Sequence, residues 1–155
     1  MLTNSDIQDL TQFRRALHQY PEVSGEEIET ARTIAAELEK LSPTCILTGL
    51  GGHGVAAVFE SGTPGPTVLF RAELDALPIP EEHDIPWVSK IPGKSHVCGH
   101  DGHMTMLLGA ARYLAQRRDF AGRAVFIFQP AEEGPPEGED GGAPLMVAEG
   151  ALGDP

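Results

Sequence analysis

Long apolar runs are missing from this chain of 155 residues. The most continuous, AVFIF at 124–128, falls far short of the roughly 20 residues that span a bilayer, so no segment is expected to cross a membrane. The N-terminus, MLTNSDIQDL, has neither a basic opening nor an apolar stretch behind it. It does not read as a secretory signal, and the expected location is the cytoplasm. Cysteine is scarce too. Cys45 and Cys98 alone make no disulfide framework, and each is expected as a free thiol. Positive charge is also in short supply: 11 Lys and Arg face 23 Asp and Glu, for a net charge of -12. Such a field repels phosphate backbones and anionic lipid surfaces, which excludes nucleic acid and membranes as expected partners.

What is present suits one compact domain. A chain of this length buries roughly 68 to 70% of its unfolded surface and needs no covalent staples. Ser5 and Gln8 are spaced as a capping box for a first helix running to Tyr20, where Pro21 stops it. Ser24 and Glu27 repeat that spacing before Ile28, Ala31, Ala35, Leu38 and Leu41, a helical stripe ended by Pro43. Three β-like runs follow at 44–48, 54–60 and 66–74, and a Pro-rich charged stretch at 78–95 reads as a surface loop. Met104, Leu107, Leu108, Ala111, Leu114 and Ala115 mark a helix from Asp101 to Arg118. RAVFIFQ at 123–129 reads as a buried strand, 134–142 as an acidic loop and 143–152 as a last helix. Helices alternating with apolar strands predict a layered α/β fold around a largely buried, mixed sheet. The ending GALGDP gives the last helix nothing downstream to pack on, so the chain is expected to be part of something longer.

Three segments carry chemistry. HVCGHDGH at 96–103 holds three of the six histidines. In an extended segment Cys98 and His100 project to the same side, with Gly99 keeping the backbone clear. Thiolate and imidazole together suit a borderline-soft ion such as zinc. Glu132 and Glu133 lie just past the apolar strand, at the edge of the sheet where α/β folds bind ligands. If extended there, they point in opposite directions, one free to ligate and the other to do something else. Glu73 and Asp75 close the preceding strand on one side of the chain. Two other readings of the residues stand beside the metal. Cys98 is also a possible nucleophile activated by His100 or His103, although that chemistry has no use for the Glu132 and Glu133 pair. GLGGHG at 49–54 matches a dinucleotide-binding pattern, but strand-like VAAVFE follows where that pattern needs a helix, so it is read as a hairpin turn.

LHQYPEVSGEE at 17–27, FRAELDALPI at 70–79, HVCGHDGHMTMLLGAA at 96–111, VFIFQPAEEG at 125–134 and GGAPLMVAEGAL at 141–152 resemble, in order, the N-terminal half of the M20-type metallopeptidase family. The resemblance is to its amidohydrolase branch, which includes hippurate, N-acyl-amino-acid and auxin-conjugate hydrolases. It implies a zinc-exopeptidase-like α/β/α fold and hydrolysis of the amide bond of small N-acyl amino acids by one or two divalent ions, zinc, manganese, cobalt or nickel. It also implies that Cys98, His100 and Glu133 are metal ligands, Glu132 is the general base and Asp75 acts at the site. Asp101, capping the helix, and His103, hydrogen-bonding behind the ligands, are the implied supports. Glu73 stands where relatives commonly carry Asp. The family is also longer, with further histidine ligands downstream, an inserted lid domain that contributes to the oxyanion site, and homo-oligomeric members. A chain of 1–155 is therefore expected as the N-terminal part of the catalytic domain without its lid, and a metal-binding piece without turnover is the alternative expectation.

Overall fold

The computed structural model describes every residue except 118, 136, 139, 154 and 155. The elements run α1 (Asn4–Gln19), α2 (Ile28–Glu39), β1 (Cys45–Leu50), β2 (Gly54–Glu60), β3 (Thr67–Glu73), α3 (His100–Arg117), β4 (Arg123–Gln129) and α4 (Gly142–Ala148). The expected end of α3 at Arg118, and parts of the expected loop at 134–142 and of the ending GALGDP, lie outside the described residues.

The strands form one mixed sheet in the order β1-β2-β4-β3. β1 and β2 are antiparallel across the glycine turn at 51–53, so GLGGHG makes a hairpin and opens no helix. β2 and β4 are also antiparallel. β3 and β4 are parallel, with Glu73 level with Gln129, and α3 makes the crossover between them. Strand alternation sorts the core into two layers. Val55, Ala57, Phe59, Ala72, Ala124, Phe126 and Phe128 face α1, α2 and α3. Ala56, Val58, Val125 and Ile127 face Met146 of α4. The result is an α/β/α arrangement. Among the described residues no helix is long and apolar enough to cross a membrane.

Several local expectations are corrected. The first helix is capped by Thr3, not Ser5: its hydroxyl accepts from the Asp6 N–H while Asp6 accepts from the Thr3 N–H. Ser24 and Glu27 form no capping box. Glu22 accepts from the backbone of Glu29 and Thr30 instead. The buried line of α2 runs through Ala31, Ile34 and Leu38, leaving Ile28 half exposed. In a sheet expected to be largely buried, β3 is an edge strand whose Val68, Leu69 and Phe70 are exposed. α4 ends four residues before its expected limit, at Ala148, with Gly150 in the left-handed region. It begins hard against the chain that leaves β4, where a Cβ on Gly142 would lie 1.9 Å from the Pro130 carbonyl oxygen.

Candidate metal centre

Parallel pairing of β3 and β4 sets the site. Both strands end at one edge of the sheet, and α3, which follows β3, starts at that edge. Glu73 and Asp75, the start of α3 and the segment 131–133 are thereby brought together.

Cys98 and His100 do converge, but not through extended chain. Gly99 has φ +95 between them, a conformation that costs a side-chain-bearing residue and suits glycine. The resulting turn aims both side chains at one point. His100 is buried, and its Nδ1–H donates to the Asp75 carbonyl oxygen at 3.0 Å. A carbonyl only accepts, so Nδ1 carries a proton and Nε2 is the ring atom left to bind an ion. Around Nε2 stand Glu133 Oε1 at 3.8 Å, Glu132 Oε2 at 3.9 Å and Glu73 Oε2 at 3.9 Å. Donor atoms of Cys98, His100 and Glu133 all lie within 4.8 Å of one another. Ligands about 2.0 to 2.3 Å from a tetrahedral ion are roughly 3.4 Å apart, so the three need to close by only a small margin to hold one. The residues fit a divalent ion. Burial alone would lower the His100 pKa, but hydrogen bonding to Asp75 and the nearby Cys98 outweigh it and raise the imidazole to about 11. Ion binding must displace the Nε2 proton.

Glu132 and Glu133 do not point in opposite directions, as extended chain would require. Ala131 has φ 49, and the Glu132 and Glu133 N–H groups both donate to Asp75 Oδ2, each at 2.8 Å. Two consecutive amides on one oxygen bend the chain and turn both carboxylates toward His100. Asp75, expected among the catalytic groups, is completely buried behind His100, Glu132 and Glu133, where Oδ2 also accepts from Ser24 Oγ at 2.7 Å. Burial would raise its pKa, but hydrogen bonds from His100, Glu133 and Ser24 outweigh it, and the carboxyl is held below its ordinary value. A second buried carboxylate holds the same segment: Glu27 Oε1 accepts from the Ala131 N–H at 2.7 Å. Its Oε2 has no hydrogen-bond partner, and burial pushes its pKa up.

The two expected supports make longer-range contacts as well. Asp101 does accept from the Gly102 N–H, but its main task is a bridge to α1. Its Oδ2 receives Arg14 Nε and His18 Nδ1, both at 2.7 Å. The other ring nitrogen of His18 lies 2.9 Å from Glu81 Oε1 in the loop after β3. Thus α1, α3 and that loop are tied together directly beside His100. His103 stands one helical turn beyond His100. It pairs with Glu73 Oε2 at 2.9 Å. His96 is buried with neither ring nitrogen hydrogen-bonded, and burial lowers it to about 4. Sequence reasoning missed Arg14, His18, Ser24, Glu27 and Glu81. The motif segment 17–27 contains three of them, and it was the only available signal.

Residues 69–155 match Peptidase family M20/M25/M40. A putative amidohydrolase of Bacillus subtilis, YhaA, is 47% identical over 147 residues, covering 94% of this chain and 36% of its own length. IAA-amino acid hydrolase ILR1-like 6 of Arabidopsis thaliana is 44% identical over 146 residues, covering 94% of this chain and 30% of its own. The crystal structure of B. subtilis YXEP, described as a dinuclear metal-binding peptidase of the M20 family, superposes with a TM-score of 0.88 at 38% identity. That superposition covers 97% of this chain and 41% of YXEP. The chain thus spans between 30% and 41% of the length of these relatives. The matched family and these identities show that the chain belongs to Peptidase family M20/M25/M40.

Proposed function

We propose that this chain holds a divalent ion through Cys98, His100 and Glu133 for hydrolysis of the amide bond of N-acyl amino acids. The observation that carries the reading is the convergence of thiol, imidazole and carboxylate within 4.8 Å, with a second carboxylate alongside. An ion there supplies Lewis acidity to the acyl carbonyl and makes water easier to deprotonate. Glu132, whose side chain is 41% exposed, is free to move a proton. Its Oε2 takes the proton from water and later returns it to the departing amine. Glu133 holds the ion from the adjacent position, which fixes Glu132 relative to it. Asp75 and Glu27 act as positioning residues, through the amides of residues 131–133. The thiolate favours zinc, while the carboxylates accept manganese, cobalt or nickel. The name of the Arabidopsis relative supports an acylated amino acid as substrate.

Within the family architecture the chain forms the N-terminal part of the catalytic domain. A second reading is an ion-holding unit that does not turn over alone. Release of free amino acid from N-acetyl, N-benzoyl and indole-acyl substrates, with Zn²⁺, Mn²⁺ or Co²⁺ supplied, separates the two. Turnover abolished by chelation and restored by the ion supports hydrolysis. Tight ion binding without turnover supports the second reading. Turnover that survives chelation and stops on alkylating Cys98 would overturn both in favour of a thiol nucleophile.

A further inference from the structure

The proposed hydrolysis leaves Glu73 and His103 unused. His103 lies one helical turn beyond His100 on the same face of α3, with ring centroids 5.6 Å apart. Its Nδ1 is 2.9 Å from Glu73 Oε2, and that same oxygen is 3.9 Å from His100 Nε2. Donor atoms of the three residues lie within 4.8 Å of one another, as in the Cys98 group. A solvent-accessible Glu–His pair contributes little by itself. It accounts for the 2.9 Å contact, but not for the approach of a third, buried ligand nitrogen to the same oxygen. The pair opens on a cleft of about 400 Å³ bordered by Arg71, Met106, Leu107 and Ala110, which admits an ion with its waters.

We propose that Glu73, His100 and His103 form a second, thiolate-free divalent-cation position that competes with the Cys98 group for the single Nε2 lone pair of His100. The inference rests on the reading of Cys98, His100 and Glu133 as the primary site. Two imidazoles and one carboxylate form the facial set that binds first-row metals with open positions, and imidazole suits zinc, cobalt and nickel. Arg71 Nη1, 3.1 Å from Glu73 Oε1, occupies one oxygen and leaves Oε2 toward the histidines. Its positive charge weakens cation binding there. The second position is therefore the weaker one and fills when the thiolate is removed. The ion then sits on the β3 side of His100.

Cobalt titration followed by absorbance tests this with the whole chain, because Co²⁺ bound to thiolate shows a charge-transfer band that nitrogen and oxygen ligands lack. The wild type is expected to take up one equivalent with that band. Cys98→Ser is expected to keep one equivalent without the band, and adding His103→Ala or Glu73→Gln to Cys98→Ser is expected to weaken cobalt binding at least tenfold. The His103 side chain is 49% exposed, so the alanine variant is expected to fold, with unchanged far-UV circular dichroism as the check. Equal cobalt affinity in Cys98→Ser with and without His103→Ala would overturn the second position, as would a folded Cys98→Ser chain that binds no cobalt. Absence of the band in the wild type would instead overturn the primary site.

Discussion

Replacing Asp75 with Asn tests whether a buried carboxylate organises the metal centre. The substitution keeps the shape and removes the charge. Oδ2 accepts three hydrogen bonds, from the amides of Glu132 and Glu133 and from Ser24 Oγ. A bond to a charged acceptor contributes about 1.5 to 3 kcal/mol and a neutral one about 0.5 to 1.5, so three conversions cost roughly 3 kcal/mol. Asn also escapes the desolvation that Asp75 bears. The carboxyl is nevertheless held below its ordinary pKa, so the favourable contacts outweigh burial and the sign stays destabilising. The net expectation is a loss of about 1 to 3 kcal/mol. At an m-value of about 2 kcal/mol/M, urea unfolding followed by Trp87 fluorescence should show a midpoint lower by about 0.5 to 1.5 M. Ion affinity should fall as well, by about 10- to 100-fold, as is typical when the groups that orient ligands are removed. Ser24→Ala, which deletes one of the three bonds to the charged oxygen and leaves the amide contacts intact, should lose about 1.5 to 3 kcal/mol. An Asp75→Asn protein with the wild-type urea midpoint and unchanged ion affinity would refute the reasoning.

Glu27 makes the opposite prediction. Its pKa is raised above the ordinary 4.5, mainly by burial, so the native state holds the proton more tightly than the unfolded chain does. Its contribution to stability is therefore complete below about pH 4.5 and is lost as pH rises through the native pKa. Glu27→Gln, which can still accept from the Ala131 amide, should gain stability over wild type from pH 4.5 towards neutrality and show no gain below it. Chemical denaturation across that range checks this, and an advantage confined to acid pH would contradict it. His18→Leu leaves the carboxylates of Asp101 and Glu81 without their shared imidazole, both almost fully buried. Breaking a buried pair in this way costs about 3 to 5 kcal/mol, which thermal unfolding should register as a large fall in midpoint. A change within 1 kcal/mol, as expected for an ordinary surface residue, would show that Arg14 alone holds Asp101.

The strand and helix order was legible because each element has its own period: RAVFIFQ forms β4 over the expected residues, and VAAVFE follows a turn as a strand. Local capping was not legible. Ser24 and Glu27 have the spacing of a capping box, yet both side chains turn inward, Ser24 to Asp75 and Glu27 to Ala131. Spacing alone cannot show that partners 51 and 104 residues away compete for those groups. The same limit applies to the site. Residue types picked out Cys98, His100, Glu132 and Glu133, but aiming them takes left-handed conformations at Gly99 and Ala131, and the turn after Ala131 is held by hydrogen bonds to distant Asp75. Edge exposure of β3 was also invisible, since TVLFRAE has the composition of a buried parallel strand.

Glu132 and Glu133 approach His100 Nε2 almost equally, at 3.9 and 3.8 Å, yet they are given different tasks. Zinc affinity, measured by competition with a chromophoric chelator for Glu132→Gln and Glu133→Gln, tests that division most directly. Glu133→Gln should weaken zinc binding by at least tenfold, and Glu132→Gln should leave it within about twofold of wild type. Equal losses in the two variants, or a larger loss in Glu132→Gln, would contradict it.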